Sequence, residues 1–189
     1  MPAFGDAHDA DVVSDRIHSF AALVTARSRV LILGSMPGQA SLDRMCYYAH
    51  PRNAFWPIMG SLIGFAADDP YQRRCDALLA AGVALWDVMA SCRRQGSLDT
   101  AIDEASIVAN DIAGLLARHP AISAIFFNGG KAEQSFRRHV APALDRQGAD
   151  LPRHRLPSTS PAHAGLSVAA KREIWHACLS AALQTSRGG

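Results

Sequence analysis

Arg29-Val-Leu-Ile-Leu33 running straight into Gly34-Ser-Met-Pro-Gly38 is the stretch that decides the fold. Consecutive apolar residues without polar alternation need cover on both faces, and the glycine- and proline-bearing segment behind them ends the strand. The pattern recurs down the chain. Val83-Ala-Leu-Trp86 ends at Asp87, Ile122-Ser-Ala-Ile-Phe-Phe127 ends at Asn128-Gly129-Gly130, and Arg155-Leu156 ends at Pro157-Ser-Thr-Ser-Pro161. Helical stretches lie between. Asp69-Pro70 reads as a cap and first-turn pair before Arg73 to Ala81, and Asn110 as the cap of a helix carrying Ile112, Leu115 and Leu116. Ser167 reads as the cap of a last helix in which Ile174, Ala177 and Cys178 share a face. This alternation predicts an α/β domain with a parallel sheet and helices on both faces. Ligands of such sheets bind beyond the carboxyl ends of the strands, so the chemistry belongs in the four strand-end loops. The expected organisation is an acidic lead-in over residues 1–28, one domain over 29–184 and a frayed tail at 185–189. Residues 10–28 are ambiguous between a first helix and an extended segment.

With 189 residues, 49% of them apolar and 19% charged, the chain fits one ordinary domain and is too apolar to be disordered. Its +2 charge hides an asymmetry. Asp6, Asp9, Asp11 and Asp15 occupy the first fifteen residues without a Lys or Arg, so the body sets 19 cations against 13 carboxylates, a charge of +6. All but two of the cations are Arg, whose planar fork suits phosphate, although a GC-rich genome gives the same bias. Met1 to Ala10 has no basic stretch followed by an apolar core, and no apolar run approaches the roughly 20 residues of a membrane helix, so the expectation is a soluble, cytoplasmic protein without membrane contact. Cys46, Cys75, Cys92 and Cys178 are widely spaced free thiols with no CxxC pair; no metal or cofactor is expected.

The glycines of Gly34-Ser-Met-Pro-Gly38 permit a tight turn with backbone amides turned to a bound group, or simply an ordinary strand-to-helix turn. A third glycine and a GK[ST] are missing, which speaks against dinucleotide and P-loop sites. Tyr47-Tyr-Ala-His-Pro-Arg-Asn-Ala-Phe-Trp56 concentrates aromatics, an amide, an imidazole and a guanidinium, a mixture that suits a pocket for a planar ring. It also reads as a passage from surface to core, with Phe55 and Trp56 buried and Asn53 capping the next helix. Asn128-Gly-Gly-Lys131 opens a helix, where amides and Lys131 could meet a phosphate or merely begin the helix.

Gly34-Ser-Met-Pro-Gly38, Ser41-Leu42, Tyr47-Tyr48, His50-Pro-Arg-Asn-Ala-Phe-Trp56 and Leu156-Pro-Ser-Thr-Ser-Pro161, in that order, resemble the uracil-DNA glycosylase superfamily, and within it the hypoxanthine (deoxyinosine) DNA glycosylases. The likeness runs from residue 29 to 182. It implies a three-layer αβα sandwich around a four-stranded parallel sheet, a base extruded into the strand-end pocket, and hydrolysis of its N-glycosidic bond during base-excision repair.

The resemblance also implies roles. In much of the superfamily the loop after the first strand supplies an Asp or Asn that orients the attacking water; Met36 stands there and cannot. In the deoxyinosine branch the Asn of the His-Pro-x-Asn-x-Phe-Trp segment takes that part, which is Asn53. The amide of Ser35 and the hydroxyls of Ser158 and Ser160 are candidate donors to the departing base. Gly34, Ser35, Met36, Pro37, Gly38, Tyr47, Tyr48, His50, Phe55, Asp87 and Ser158 make the expected base pocket. Arg52, Lys131, Thr159, Ser160 and His163 make the expected DNA contact, with Arg137, Arg138, Arg153, Arg155, Lys171 and Arg172 as further phosphate-facing cations. Asp87 stands where relatives often carry an Asn that reads the base edge. It suits a base with a ring N–H, such as hypoxanthine or uracil, or else it caps a helix or pairs with Arg93 or Arg94. Ser158 replaces the familiar His of the uracil branch, which leaves room for a purine. His163 is a wedge, a phosphate contact or a solvated loop residue. Cys92 and Gly96-Ser-Leu-Asp99 fit the branch without a role the sequence discloses. The expected protein is a monomeric glycosylase without lyase activity, acting on DNA that holds a deaminated base. The alternatives are a binding module on the same fold that has lost catalysis, and an enzyme of free nucleosides.

Overall fold

The computed structural model describes residues 16–146 and 151–185. Its strands are β1 (Arg16–His18), β2 (Val30–Gly34), β3 (Val83–Asp87), β4 (Met89–Arg94), β5 (Ile102–Ala109), β6 (Ala124–Asn128) and β7 (Arg153–Leu156). Its helices are α1 (Gln39–Arg44), α2 (Phe55–Ile63), α3 (Tyr71–Ala80), α4 (Ile112–Arg118), α5 (Gly130–His139), α6 (Ala141–Arg146) and α7 (Val168–Thr185), with a 3-10 turn at Asp99–Ala101.

The four expected strands form one parallel sheet in the order β3-β2-β6-β7. Every residue of β2 is buried, as its unbroken apolar run requires. Alternate residues feed opposite faces. Val30, Ile32, Leu85 and Phe126 pack with Phe55 and Trp56 of α2, Leu78 of α3, and Trp175 and Leu179 of α7. Leu31, Leu33, Ile125 and Phe127 pack with Ile112 and Leu115 of α4, Phe136 of α5 and Leu144 of α6. The result is a helix, sheet, helix sandwich in a single domain. Gly34 pairs with Asp87, and Asn128 with Leu156, so the strand ends are level and their loops share one edge.

Local readings shift in four places. Asp69 does not cap α3: Pro70 holds that position, and the Asp69 carboxylate accepts from the Ala66 amide and pairs with Arg73 at 3.7 Å. Asp111 rather than Asn110 caps α4, accepting from the Gly114 amide at 2.9 Å. Asn110 donates instead to the Asp87 carbonyl and the Ser19 hydroxyl, tying α4 to the end of β3. In α7 the buried face is Lys171, Trp175 and Leu179, one position along from the expected stripe; Ile174 is 40% exposed, while Ser167 does cap the helix through the Ala170 amide. Over residues 16–28 the lead-in is extended, pairing through β1 and a Leu23 to Leu85 bridge. The acidic residues Asp6 to Asp15 and the tail after Thr185 lie outside the described residues.

A second sheet had no counterpart in the sequence reading. β1, β4 and β5 form an antiparallel sheet in the order β1-β4-β5. Met-Ala-Ser-Cys-Arg-Arg in β4 lacks a clean apolar period, so only its pairing partners reveal it as a strand. Its hairpin carries the 3-10 turn beside the end of β2.

Candidate active site

The loop after β2 is fastened from above by the β4–β5 hairpin. Ser35 Oγ donates to Asp99 Oδ1 at 2.9 Å, and the Gln39 amide donates to Ser97 Oγ at 3.0 Å. Arg94 is buried and straps both segments, Nη2 donating to the Pro37 carbonyl at 2.6 Å and Nε to the Gly96 carbonyl at 2.8 Å. Met36 turns the other way, into a small core with Met89, Cys92 and Ile102. Neither Gly34 nor Gly38 has the positive φ expected of a glycine-made turn. Gly34 is required for a different reason: a Cβ there would lie 2.3 Å from Asp87 Oδ1 and 3.1 Å from the Tyr48 hydroxyl. Gly38 begins α1, its carbonyl accepting from Ser41 and Leu42. The amides of Ser35 and Met36 have no protein acceptor among the described residues.

Three buried polar atoms meet no partner here among the described residues: Asp87 Oδ2, the Tyr48 hydroxyl and Arg94 Nη1. Native structures leave few such groups, since each costs about 1–3 kcal/mol, so a cluster at the strand ends marks a place for a polar guest. Asp87 neither caps a helix nor forms a direct ion pair with Arg93 or Arg94; Arg93 pairs with Asp103. Burial, helped by the Asp99 charge and opposed by Arg94, pushes the Asp87 carboxyl up to about 7. Asp99 is also raised by burial, with its Ser35 bond, Arg94, Lys131 and His163 pulling it back. Burial lowers Arg94 and raises Tyr48.

Tyr48 adopts φ 54°, an uncommon left-handed backbone, and stacks on Phe55 with centroids 4.0 Å apart. Phe55 is fully buried between Tyr48, Trp56 and Trp175, so it supports the pocket from beneath. Tyr47 is a scaffold residue, its hydroxyl donating to the Ala21 carbonyl and its ring meeting Phe20 edge-on. The Asn53 side chain accepts from the Phe55 amide at 3.0 Å, one residue ahead of the true cap, Ala54. Its Oδ1 is therefore engaged at the start of α2 while Nδ2 has no partner among the described residues. His50 Nδ1 accepts from the Arg52 amide, which leaves the proton of a neutral ring on Nε2. Tyr48, His50 and Asn53 line a cleft of about 210 Å³ with Arg44 and Arg74.

The fourth loop is bound to the third. Asn128 donates to Thr159 Oγ1 and accepts from the Thr159 amide, both at 2.9 Å, and the Thr159 carbonyl accepts from the Ala54 amide. Thr159 is 1% exposed, so it links loops and does not face DNA. Ser158 Oγ and Ser160 Oγ accept from the Ser160 and Ala162 amides. Ser158, exposed His163 and buried Lys171 line a cleft of about 320 Å³ with Gly129 and Gly130, where α5 begins. Lys171 donates to the His163 carbonyl at 2.6 Å, Lys131 is held by Glu104, and Arg52 is exposed. Arg155, Arg153 and Arg138 sit in ion pairs with Glu133, Asp145 and Glu104.

A family model for the uracil DNA glycosylase superfamily matches residues 22–178. The chain belongs to the uracil DNA glycosylase superfamily. Similar superfamily proteins include a hypoxanthine DNA glycosylase of Methanosarcina acetivorans, 34% identical over 84% of this chain and 94% of that protein. Another, from Methanosarcina barkeri, is 37% identical over 60% of this chain and 71% of its own length. The solution NMR structure of a candidate uracil DNA glycosylase from Methanosarcina acetivorans superposes with a TM-score of 0.69 at 31% identity, covering 86% of this chain and 98% of that one. Sequence reasoning did not place Arg94, Asp99 and Asn128 among the candidate site residues, although the structure brings all three to the strand-end loops. Gly96-Ser-Leu-Asp99 was the available signal, but its meaning depends on a hairpin that only pairing reveals.

Proposed function

We propose that the protein is a monofunctional DNA glycosylase that hydrolyses the N-glycosidic bond of a flipped deaminated base, hypoxanthine foremost and uracil second. The observation that carries this reading is the set of unsatisfied polar atoms, Asp87 Oδ2 and the Tyr48 hydroxyl, buried beneath the Gly34 loop at the strand ends. Hypoxanthine and uracil each present a ring N–H beside a carbonyl. A carboxyl that titrates near neutrality meets both: ionised it accepts the N–H, protonated it donates to the carbonyl. The names carried by the Methanosarcina relatives support the same substrate class.

Asn53 contributes a donor more than an acceptor, because its oxygen already holds α2. Its free Nδ2 can stabilise charge that develops on the leaving base, as the unbonded amides of Ser35 and Met36 can. Glycosidic cleavage through an oxocarbenium-like state asks the protein chiefly to accommodate that charge and to place a water. Lyase activity needs a free amine, and both candidate lysines are bound, Lys131 to Glu104 and Lys171 to the His163 carbonyl. The test is incubation with duplexes holding one hypoxanthine, uracil, xanthine or mismatched thymine, followed by alkali. Alkali-labile abasic sites at hypoxanthine are expected, without strand breaks before alkali and without borohydride-trapped adducts. No cleavage of any duplex overturns the enzyme reading in favour of a binding module.

A further inference from the structure

We propose that Asp99 is a catalytic residue that holds the attacking water and accepts its proton, with Ser35 as its positioning partner; this rests on the glycosylase reading above. Three arrangements lead to it. Met36 is committed to a hydrophobic cluster, so the loop after β2 offers no polar side chain at its centre. Asn53 Oδ1 already accepts from the Phe55 amide, so only its second lone pair is open, and the other end of that side chain only donates. A nucleophilic water needs acceptors for its hydrogens so that a lone pair faces the sugar. Asp99 supplies them. Its Oδ1 takes the Ser35 hydroxyl proton, which leaves the Ser35 oxygen as an acceptor, and its Oδ2 has no partner among the described residues. A water donating to both oxygens has both its lone pairs directed away from them.

The placement is rigid. The hairpin that carries Asp99 is fixed by Arg94 to Pro37 and Gly96 and by Ser97 to Gln39. Asp87 on β3 faces Asp99, while Arg94 on β4 and Lys131 on α5 supply compensating charge and His163 lies near it ahead of α7. Asp87 is the more deeply buried of the two carboxyls, and among the described residues only Asp99 holds a hydroxyl donor, Ser35 Oγ, which favours its ionised form. In the reaction the C1′–N bond breaks with its electron pair passing to the base. The water oxygen forms the C1′–O bond and one water proton passes to Asp99, then to solvent. The base regains a proton from solvent or a neighbouring donor.

The test is single-turnover cleavage of a hypoxanthine duplex between about pH 5 and 9 by the wild type, Asp99→Asn and Ser35→Ala, with binding to an uncleavable duplex and thermal midpoints measured alongside. Asp99→Asn is expected to slow cleavage by roughly a hundredfold or more, to bind within about threefold of the wild type, and to change the acid side of the rate profile, leaving there only what Asp87 contributes. Ser35→Ala is expected to cost about tenfold and to keep that acid limb. Asp99→Ala should recover rate when formate is added, which separates chemistry from folding. A wild-type rate in Asp99→Asn, a pH profile identical to the wild type's in it, or failure of formate to rescue Asp99→Ala overturns the inference. A wild type that cleaves none of the deaminated duplexes overturns the glycosylase reading and this inference together.

Discussion

Asn53 and Asp87 separate catalysis from stability within single side chains. On the proposed reading, removing the Asn53 amide takes away both a donor to the reaction and the acceptor for the first amide of α2. Asn53→Ala is therefore expected to lose at least a hundredfold in turnover while retaining DNA binding, and about 1 kcal/mol of stability. Cleavage and binding assays with a denaturation curve check this; unchanged turnover would move the donor role to another group. Asp87 acts on stability with a defined sign. Its folded pKa, near 7, lies above the ordinary carboxylate value, so the folded state binds the extra proton. Its contribution is full below about pH 4 and is lost as pH rises through 7, a change of a few kcal/mol at most. Asp87→Asn should flatten that decline, with a thermal midpoint gain over the wild type that is larger at pH 8 than at pH 4. A constant difference across pH would show that the carboxyl does not titrate in this window. The same variant should alter which bases are accepted.

At the scale of elements, the approach of β3 to β2 sets the site. Asp87 reaches the strand end because Gly34 has no side chain, and a Cβ at 2.3 Å from a buried carboxylate has nowhere to go. Gly34→Ala is expected to cost about 1–3 kcal/mol in a urea titration and to disturb base cleavage with it. An unperturbed midpoint would mean that Asp87 can swing aside. For α4 the decisive residue is the one after the expected cap: Asp111→Ala should cost about 1 kcal/mol, while Asn110 acts through its bond to the Asp87 carbonyl. The β4–β5 hairpin carries the largest correction. Its apolar signal is weak, yet it brings Arg94 and Asp99 over the loop after β2, and the candidate mechanism depends on both.

For the whole molecule, the described cations divide into those engaged and those available. Lys131, Arg138, Arg153 and Arg155 are ion-paired and Lys171 is buried, whereas Arg52, Arg137 and Arg172 are exposed with no carboxylate partner among the described residues. DNA affinity should therefore fall with salt at a slope of roughly −2 to −4 on logarithmic axes, smaller than all eight of these basic side chains together would give. A slope near zero, read by fluorescence anisotropy between low and physiological salt, would exclude a phosphate-contacting surface. The α/β architecture, the four parallel strands and the superfamily motifs were legible in the chain, because each rests on a local apolar run or a short contiguous pattern. Asp99 could not be read that way. Its bond to Ser35 spans 64 residues, and the hairpin that delivers it forms only by pairing with distant strands. Tertiary packing alone likewise buried Thr159 and left Asp87 and Tyr48 unsatisfied at the strand ends, since burial and polar satisfaction depend on which elements meet.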